Sequence, residues 1–441
     1  MSDARASIHV LVIGGGFSGA AAAAALHAGG HVVTLLERHA VLGGRARSDS
    51  RGDRAVDTGA QLIASTFTRA TRLLGRAGLE PTMARDVFVR DGARLPLQFG
   101  SIASMLRFGG LSVTEKLKLG TTLLPLLARH SATLRVDSTG DLEALDRSSA
   151  RAFVADAVSE RAADVLVEPP LNAFYGARGI ETSLAFFLTL GRYGSHAELL
   201  ASRAGWSAAL AEATRGVRVE CNAHVDVIEV TPAGIVAREG NDREWRADAL
   251  VIATGASAAR VLLAGVVGAS HPLIAWLATV TTRPTWTVML TLDRPVDVDT
   301  FGVLADPAEA AMVSACALPA GRWRAPSEPA NVVLAWPTPN AVDVLGDRSA
   351  AEIVAAMMPE IARLVPETHG AVSRARVYRF EEGTPLAEPG FIAHRARGLA
   401  LEDTLAVPVA LAGDYLTMPL VEGAVASGEE AAVRLVRRLR A

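Results

Sequence analysis

"IHVLVIGGGFSGAAAAAALHAGGHVVTLLE", Ile8 to Glu37, is the stretch of sequence that decides the fold. It opens with a short β-branched run and continues into Gly14, Gly16 and Gly19, which have G-x-G-x-x-G spacing. The alanine-rich segment that follows predicts a helix, and the next apolar run predicts a strand that ends at Glu37. This order of strand, glycine turn, helix, strand and terminal acid is typical of the βαβ unit that binds dinucleotides.

Each glycine of this unit has a mechanical role. Gly14 permits the tight turn, Gly16 lets a pyrophosphate approach the backbone, and Gly19 lets the helix pack close to the strand. The helix N-terminus offers unpaired N–H groups and a partial positive charge to the phosphates, and the terminal acid accepts hydrogen bonds from a ribose diol. We therefore expect dinucleotide contacts at the following residues: Gly14, Gly16, Phe17, Ser18, Gly19 and Glu37.

A second glycine loop follows the acid directly. In "RHAVLGGRARS", Gly43, Gly44, Arg45 and Ala46 lie six to nine residues beyond the acid. This pattern resembles the flavin amine oxidase superfamily, which includes protoporphyrinogen oxidases and the phytoene and squalene-associated desaturases and carries E-x5-GGR-[AS] here. The resemblance implies FAD as the cofactor. It also implies that Arg38, Gly44 and Arg45 lie against FAD, with the planar Arg45 fork at the pyrophosphate.

Three further segments resemble flavin contacts of the same family. "VDTGAQLI", Val56 to Ile63, matches a D-x-G-[AP] segment that passes close to the isoalloxazine ring. Two later strands of the family bring backbone to the adenine ring and to the cofactor. The resemblance implies contacts at the following residues: Gly59, Ala60, Gln61, Val225 and Thr254.

The end of the chain completes this resemblance. In "AGDYLTMPLVEGAVASGEEAA", Ala412 to Ala432, the family has an acid that follows a strand and contacts the ribityl or pyrophosphate oxygens, and then a helix directed at the pyrimidine edge of the flavin. Small residues such as Gly428 would let that helix pack closely. The implied contact residues are Gly413, Asp414, Val421, Gly423 and Ala424.

The length of 441 residues favours two domains. The predicted fold class is α/β: a Rossmann-type, glutathione-reductase-like FAD-binding domain with an inserted α+β substrate domain. The expected FAD domain is discontinuous and comprises residues 1–85, 205–265 and 395–441. The substrate domain comprises residues 86–204 and 266–394, with its helical part at about 100–200, and residues 86–100 predict a hairpin that turns at Asp91-Gly92.

Aromatic residues are concentrated in the middle of a chain that is only 5% aromatic. "VEPPLNAFYGARGIETSLAFFL" is one such stretch, and "RVYRFEEGTPLAEPGF", Arg376 to Phe391, resembles a proline-containing loop that precedes the last FAD segment. These side chains are candidates for an apolar substrate pocket, with ordinary core packing as the open alternative. The candidates are Phe174, Tyr175, Tyr193, Tyr378, Arg379 and Phe380.

Composition and charge exclude several classes. A net charge of −3 without a charged block gives no support for nucleic-acid binding. Cys221 and Cys316 are far apart and lack metal-ligand spacing, so no metal site is expected. Covalent flavin attachment in this family uses a cysteine near the C-terminal motif, and neither cysteine lies there. Non-covalent FAD is therefore predicted.

The N-terminus and two charge-free stretches bear on localisation. "MSDARAS" leads directly into the first strand, which favours a cytoplasmic protein. Ile8 to Leu36 and Val261 to Thr282 are interrupted by glycines and by His271-Pro272, so several short elements are expected rather than spans. Residues 101–130 are apolar with interspersed basic side chains, which fits contact with a membrane surface and fits amphipathic core helices equally.

The reaction is predicted from what the chain lacks. No second strand-G-x-G-x-x-G-helix unit follows Ala64, so we expect the substrate to reduce the flavin and oxygen, a quinone or another acceptor to reoxidise it. Amine oxidases of the family commonly hold a lysine near flavin N5, but the matching region contains only Arg283 and Arg294. The leading hypothesis is an oxidase, dehydrogenase or desaturase that takes hydride from C–H or C–N bonds of a porphyrinogen- or isoprenoid-like molecule. A flavin amine oxidase and a redox-neutral isomerase are the alternatives, and no catalytic side chain is predicted.

Overall fold

The protein is described by a computed structural model. The structure describes residues 7–440 except residues 52–53, 76–77, 84, 99–100, 139, 141, 241–242, 297–298 and 324–329, and except the side chains of residues 50, 51, 54 and 102.

The described residues form 20 strands and 16 α-helices, numbered here in chain order. The strands are β1 (His9–Ile13), β2 (Val32–Glu37), β3 (Ser48–Arg51), β4 (Arg54–Asp57), β5 (Ile63–Ala64), β6 (Glu80–Pro81), β7 (Asp86–Arg90), β8 (Ala93–Leu97), β9 (Leu199–Ala201), β10 (Arg218–Cys221), β11 (Val227–Thr231), β12 (Gly234–Glu239), β13 (Arg243–Ala247), β14 (Ala249–Ile252), β15 (Thr282–Leu292), β16 (Gly302–Ala305), β17 (Val313–Ala317), β18 (Val332–Pro337), β19 (Val372–Pro385) and β20 (Val409–Leu411). The helices are α1 (Phe17–Ala28), α2 (Thr68–Leu74), α3 (Ile102–Arg107), α4 (Val113–Arg129), α5 (Glu143–Asp146), α6 (Ala150–Ala157), α7 (Glu160–Leu166), α8 (Glu168–Tyr175), α9 (Leu184–Gly194), α10 (Gly205–Ala213), α11 (Ala256–Val267), α12 (Pro272–Leu277), α13 (Pro339–Leu345), α14 (Ala350–Leu364), α15 (Phe391–Asp403) and α16 (Val421–Arg438).

A five-stranded parallel sheet has the order β10-β2-β1-β14-β20. Its strands come from the start, the middle and the end of the chain. Because all pairs are parallel, the carboxyl ends of the strands meet at one edge, which is where open α/β sheets bind ligands. The predicted Rossmann-type α/β fold class is confirmed, and the sheet brings Glu37, Thr254 and Gly413 toward this common edge.

Helices α1 and α16 pack together over this sheet. The contact is close because both helices carry small residues: a β-carbon placed on Gly428 would overlap the Ser18 carbonyl oxygen and lie 2.9 Å from the Ala21 β-carbon. Every residue from Phe17 to Ala23 is buried. The predicted reason for a small residue at Gly428 is therefore confirmed.

A second, seven-stranded mixed sheet has the order β19-β15-β18-β17-β16-β7-β8. One face packs against α13 and α14 in an apolar core, and the other faces the helical segment α4 to α9. The predicted hairpin is present as β7 and β8, and Asp91 and Gly92 both have positive φ angles of 50° and 72°. Positive φ at both turn residues is what a two-residue hairpin loop requires.

The prediction of a loop from Arg376 to Phe391 is mostly wrong. Residues as far as Pro385 belong to β19, which pairs antiparallel with β15, and only residues 386–390 connect it to α15. Pairing over ten registered positions outweighs the local turn signals of the glycine and prolines, and Pro385 lies at the strand end, where a missing N–H is tolerated.

The two charge-free stretches are divided as predicted. The first becomes β1, α1 and β2, and the second becomes parts of α11, α12 and β15. Over the residues described, no helix combines the length and apolarity needed to cross a membrane.

Candidate cofactor site

The glycine turn after β1 leaves an opening at the start of α1. Gly14 has φ of +106°, and a β-carbon there would lie 2.6 Å from the Ala253 carbonyl oxygen; at Gly19 it would overlap the Gly14 carbonyl oxygen. At Gly16, by contrast, a β-carbon would meet no atom within 4 Å. The fold itself thus requires Gly14 and Gly19, whereas Gly16 borders open space.

The N-terminus of α1 is free to bind an anion. Gly16 is its N-cap residue, no side chain caps it, and its first turn carries no acid. The first N–H groups of a helix have no partner within the helix, and the helix dipole adds a partial positive charge there. Phe17, Ser18 and Gly19 therefore surround a ready site for a phosphate.

Glu37 ends β2 beside this turn and is 4% exposed. Its carboxylate accepts hydrogen bonds from the Gly15 N–H at 2.7 Å and the His39 N–H at 2.8 Å. Two oxygens offer about four lone-pair positions, so the carboxylate retains capacity for ribose hydroxyls. The backbone carbonyl of Glu37 accepts a hydrogen bond from the Ala223 N–H at 2.9 Å. This bond holds the segment that leads to the buried Val225 close to Glu37.

Arg45 and Asp414 form a two-pronged ion pair. Nη1 and Nη2 of Arg45 donate to Oδ2 and Oδ1 of Asp414 at 2.9 and 2.7 Å, and Nη1 also donates to the Gly383 carbonyl at 2.8 Å. Burial alone would lower the Arg45 pKa, but the Asp414 charge and hydrogen bonds raise it above its usual value. The Arg45 side chain is still 42% exposed, against 8% for Asp414, and its Nε has no acceptor in the described part of the chain.

These loops form one continuous wall. A β-carbon on Gly44 would lie 3.5 Å from the Gly16 α-carbon, and one on Gly59 would overlap the Arg45 carbonyl oxygen. The wall thus runs from Gly16 through Gly44 and Arg45 to residues 57–61, which carry Ala60 and Gln61. Arg38 is exposed beside the first part of this wall.

The C-terminal residues approach the same edge. The Gly413 N–H donates to Ser427 Oγ at 2.9 Å, and Thr254 N lies 3.3 Å from a β-carbon placed on Gly14. Helix α16 begins at Val421 without a side-chain cap. Gly423 is required there because a β-carbon would overlap the Met418 carbonyl oxygen.

Glu422 in the first turn of α16 points away from this edge. Its carboxylate accepts the Arg69 N–H at 3.0 Å and the Ala70 N–H at 2.9 Å, so it caps α2. Burial raises its pKa above the usual value. The first N–H groups of α16, from Val421 to Gly423, are therefore not capped by their own acid, whereas the Ala424 N–H donates to the Leu420 carbonyl at 2.8 Å.

The structure does not bring the six predicted substrate residues together. Tyr378, Arg379 and Phe380 alternate along β19. Tyr378 Oη donates to Asp49 Oδ2 at 2.7 Å, and the Phe380 ring lies 4.8 Å from the Arg47 guanidinium. Arg379 points to the other face, where it is exposed and donates to backbone carbonyls of residues 346 and 348.

The other three candidates lie in the helical segment. Phe174 is 53% exposed at the end of α8, and Tyr175 meets the Phe186 ring edge-on at 5.3 Å. Tyr193 packs on Phe67 at 5.5 Å and borders a polar cavity of about 250 Å³ between α2, α9 and α16. Burial raises the pKa of both tyrosines.

Several residues that shape this site gave no sequence signal. Glu382 on β19 accepts the Ser257 N–H at 2.8 Å and so caps α11, 125 residues away. Trp336 on β18 packs between the helical core and the apolar residues beside loop 57–61. Within the residues described, no group of three His, Cys, Asp or Glu side chains could hold a metal ion.

The sequence profile of the flavin-containing amine oxidoreductases matches residues 17–436. The chain belongs to this family. FAD is therefore its cofactor, and the protein is an FAD-dependent oxidoreductase. The residues along this wall fit that cofactor. The uncapped N-terminus of α1 suits a phosphate, the Glu37 carboxylate suits a ribose, and Arg45 has a free donor.

Solved structures of this flavin family share the fold. A protein assigned as a protoporphyrinogen oxidase from Exiguobacterium sp. 255-15 has a TM-score of 0.72 at 17% identity, over 99% of this chain and 100% of that one. Cyclohexylamine oxidase from Brevibacterium oxydans IH-35A has a TM-score of 0.72 at 19% identity, over 99% and 100%. The CLA-producing fatty acid isomerase from P. acnes has a TM-score of 0.73 at 15% identity, over 96% and 98%. No curated protein matches the sequence.

Proposed function

We propose that this flavoenzyme takes hydride from a C–H or C–N bond of an apolar, porphyrinogen- or isoprenoid-like molecule. When bound, FAD supplies the hydride acceptor at N5, and oxygen, a quinone or another acceptor then takes the electrons. The chain's own task is to bind the substrate, orient it and exclude water. One observation carries the proposal: the sheet face beside loop 57–61 is apolar.

That face is a cluster of buried side chains from β4, β15, β17, β18 and the approach to β16. Its members are Val56, Met289, Phe301, Ala317, Val332 and Leu334. Leu62, Trp336 and Tyr378 are partly buried at its margin. The six members are buried behind this face, and its partly buried margin of Leu62, Trp336 and Tyr378 supports an apolar substrate because it would offer dispersion contacts.

Amine oxidation ranks second because the lysine is missing. Lys116 and Lys118 are the only lysines of the chain, and both lie on α4. Their Nζ atoms donate to the carbonyls of Leu106 and Val158. Thr287 instead faces loop 57–61 from β15. The isomerase alternative rests only on a shared fold, and one fold hosts many reactions.

Anaerobic mixing with candidate substrates separates these functions. We expect porphyrinogens or polyenes to bleach the flavin absorbance near about 450 nm, where oxidised flavins absorb. Bleaching by amines alone would establish the second function. Conversion of substrate without bleaching, and without net electron transfer, would establish isomerisation.

The cofactor contacts and domain division are part of the same proposal. The first turn of α1 would bind the pyrophosphate, Glu37 the adenosine ribose, and Arg45 with Asp414 the pyrophosphate or ribityl oxygens. Residues 57–61 would lie at the isoalloxazine ring, and the start of α16 at its pyrimidine edge. The segments 1–85, 205–265 and 395–441 would together form the FAD domain, with FAD bound non-covalently.

We also propose that α4 contacts an anionic membrane surface. Val113, Leu117, Thr121, Leu124 and Ala128 are spaced at i, i+4, i+8, i+11 and i+15, so they form one stripe, and all are exposed. The exposed fraction reaches 83% at Val113 and 66% at Leu117. An apolar stripe on the solvent side of a helix is typical of an interfacial helix.

The charge around α4 favours a lipid surface, rather than a second copy of the protein, as the partner of the exposed stripe. Residues 101–129 carry Arg107, Lys116, Lys118 and Arg129 against one acid, a net +3 in a chain of −3. The acid, Glu115, accepts hydrogen bonds from the Ser159 hydroxyl and from Ser112, which lower its pKa to about 2. Cationic flanks beside an apolar stripe match an anionic bilayer.

Vesicle co-sedimentation tests the membrane contact. The wild type should pellet with phosphatidylglycerol vesicles but not with phosphatidylcholine vesicles, and the Val113→Ser, Leu117→Ser, Leu124→Ser triple variant should stay in solution. Equal recovery of both proteins in the supernatant would refute the proposal. A concentration-dependent dimer that the triple variant abolishes would assign the stripe to a second copy instead.

A further inference from the structure

The carbonyl groups of loop 57–61 are all held by side chains. Two of the five are held from within the loop: Gln61 Nε2 donates to the Asp57 carbonyl at 2.6 Å and to the Gly59 carbonyl at 2.9 Å. The Gln61 side chain thus bridges the loop across its own turn. Loops seldom have every carbonyl committed to protein, because most loop carbonyls face water.

The other three carbonyls are held by donors from distant elements. These donors lie in β15, in α10 and at the end of the turn after β17, and all are at most 1% exposed. The bonds are Thr287 Oγ1 to the Thr58 carbonyl at 2.6 Å, Trp206 Nε1 to the Ala60 carbonyl at 2.9 Å and Arg322 Nη1 to the Gln61 carbonyl at 3.0 Å. We call residues 57–61 with these donors the carbonyl clamp.

A buried ion pair stabilises the carbonyl clamp. Arg322 Nη2 lies 3.4 Å from Asp57 Oδ2, and both side chains are 0% exposed. Asp57 Oδ1 accepts the Trp206 N–H at 3.0 Å and Ser48 Oγ–H at 2.7 Å. Two of the three distant donors are therefore themselves fixed by the first residue of the loop.

The clamp decides where the N–H groups of the loop point. The described residues contain no cis peptide, and in a trans peptide the N–H points away from its C=O. The carbonyls of Thr58, Gly59 and Ala60 share their peptides with the N–H groups of Gly59, Ala60 and Gln61, so each of these N–H groups points away from the donor that holds its carbonyl. None of these three has an acceptor in the part of the chain that the structure describes, and all three residues are only half-buried beside Arg45.

A second observation points to a ligand at the same place. Gln61 Oε1 is buried and has no hydrogen-bond partner among the described residues. A buried carbonyl oxygen without a donor is costly, so it calls for a partner that the protein does not supply, such as a bound ligand or an ordered water. Donor N–H groups beside a free acceptor suit a ring that carries both carbonyl oxygens and N–H groups, as isoalloxazine does.

We propose that Thr287 and Trp206, the latter supported by the Asp57–Arg322 ion pair, are positioning residues that fix the N–H groups of loop 57–61 toward the flavin and thereby raise its reduction potential. Reduction places negative charge on the flavin, and fixed donors stabilise that charge without reorganisation. This inference rests on the proposed placement of the isoalloxazine ring at residues 57–61. It adds which buried side chains set the flavin's redox behaviour.

Thr287→Val tests the clamp because it removes one hydroxyl donor and keeps the side-chain shape. We expect full FAD content, a reduction potential more negative than in the wild type, and an altered flavin absorption band. Thr287→Ser keeps the hydroxyl and should retain the wild-type reduction potential. Thr189→Val is the matched control, because Thr189 is buried and donates to the Ala185 carbonyl at 2.8 Å within α9.

An unchanged potential and spectrum in Thr287→Val would overturn the clamp. Equal shifts in the valine and serine variants would also overturn it, because packing and not the donor would then be responsible. Should Thr287→Val fail to fold, Trp206→Phe removes the second donor and keeps an aromatic ring, with the same expected shift. A wild-type protein purified without any flavin would instead refute the proposed cofactor site.

Discussion

Arg45 and Asp414 are 369 residues apart in the sequence and form a two-pronged ion pair in the wall that runs from Gly16 to residues 57–61. The pair joins the loop after β2 to the segment after β20. Its exposed guanidinium edge is therefore assembled only when the last strand of the sheet is in place. A cofactor bound here would hold the beginning and the end of the chain together.

Asp414→Asn should weaken FAD binding roughly ten- to a hundredfold, since hydrogen bonds to a charged group contribute about 1.5–3 kcal/mol. An amide can accept from only one nitrogen of Arg45 and turns its NH₂ toward the other. Titration of apoprotein with FAD measures the effect. Asp164→Asn, which removes the ion pair between Asp164 on α7 and Arg151 on α6, is the control that should leave FAD affinity unchanged.

Gly16→Val should produce a folded protein without flavin. A β-carbon at Gly16 meets no protein atom within 4 Å, so the added side chain fills only the space in front of α1. Gly19→Val should instead unfold the domain, because its β-carbon overlaps the Gly14 carbonyl oxygen. Circular dichroism melting and the flavin-to-protein absorbance ratio distinguish the two. Full flavin content in Gly16→Val would contradict the proposal that the cofactor binds at the start of α1.

Gly428→Ala should destabilise the protein by at least about 2 kcal/mol, because the new methyl group overlaps the Ser18 carbonyl and forces α1 and α16 apart. Gly120→Ala in α4 is the matched control. Its nearest neighbour would be 4.0 Å away, so helix propensity should make it neutral or stabilising by up to about 1 kcal/mol. Chemical denaturation of both variants checks this, and equal stability of the two would contradict the close packing.

Asp86 should make the protein less stable as pH rises. Burial raises its pKa to about 7, and a hydrogen bond from the Gly302 N–H lowers it only partly. The folded state therefore holds the proton more tightly than the unfolded state. Its stabilising contribution is complete below about pH 4 and is lost as pH rises to about 7.

Asp86→Asn should remove this pH dependence. The variant should gain roughly 2–4 kcal/mol relative to the wild type at pH 8, with little difference at pH 4. Melting temperatures across this pH range provide the measurement. A parallel pH profile for wild type and variant would show that Asp86 ionises normally.

Denaturation should release FAD into solution. Cys221 lies at the end of β10 and Cys316 in the second sheet, and burial raises both thiol pKa values, that of Cys316 to about 12. Thiols held protonated are poor nucleophiles. Acid precipitation should leave a yellow supernatant and a colourless pellet, for the wild type and for the Cys221→Ser, Cys316→Ser variant alike. Flavin retained in the wild-type pellet would refute non-covalent binding.

Much of the fold was predictable because its signals are local. Gly14, Gly16 and Gly19 with the flanking runs predicted β1, α1 and β2, since each of these elements is specified by consecutive residues. The Asp91-Gly92 turn likewise predicted β7 and β8. The loop expected after Arg376 failed for the opposite reason: β19 exists because β15 pairs with it, and the partner strand is about ninety residues away.

The sequence by itself determined the nucleotide-binding unit, the α/β class and the resemblance that points to FAD, because those depend on spacing within short segments. Only the tertiary structure decided which side chains meet. It separated Tyr378 and Phe380 from Arg379, since neighbouring residues of a strand face opposite sides. It also joined Arg45 to Asp414 and turned Thr287 onto loop 57–61. Those contacts follow from strand order and register, which no local pattern specifies.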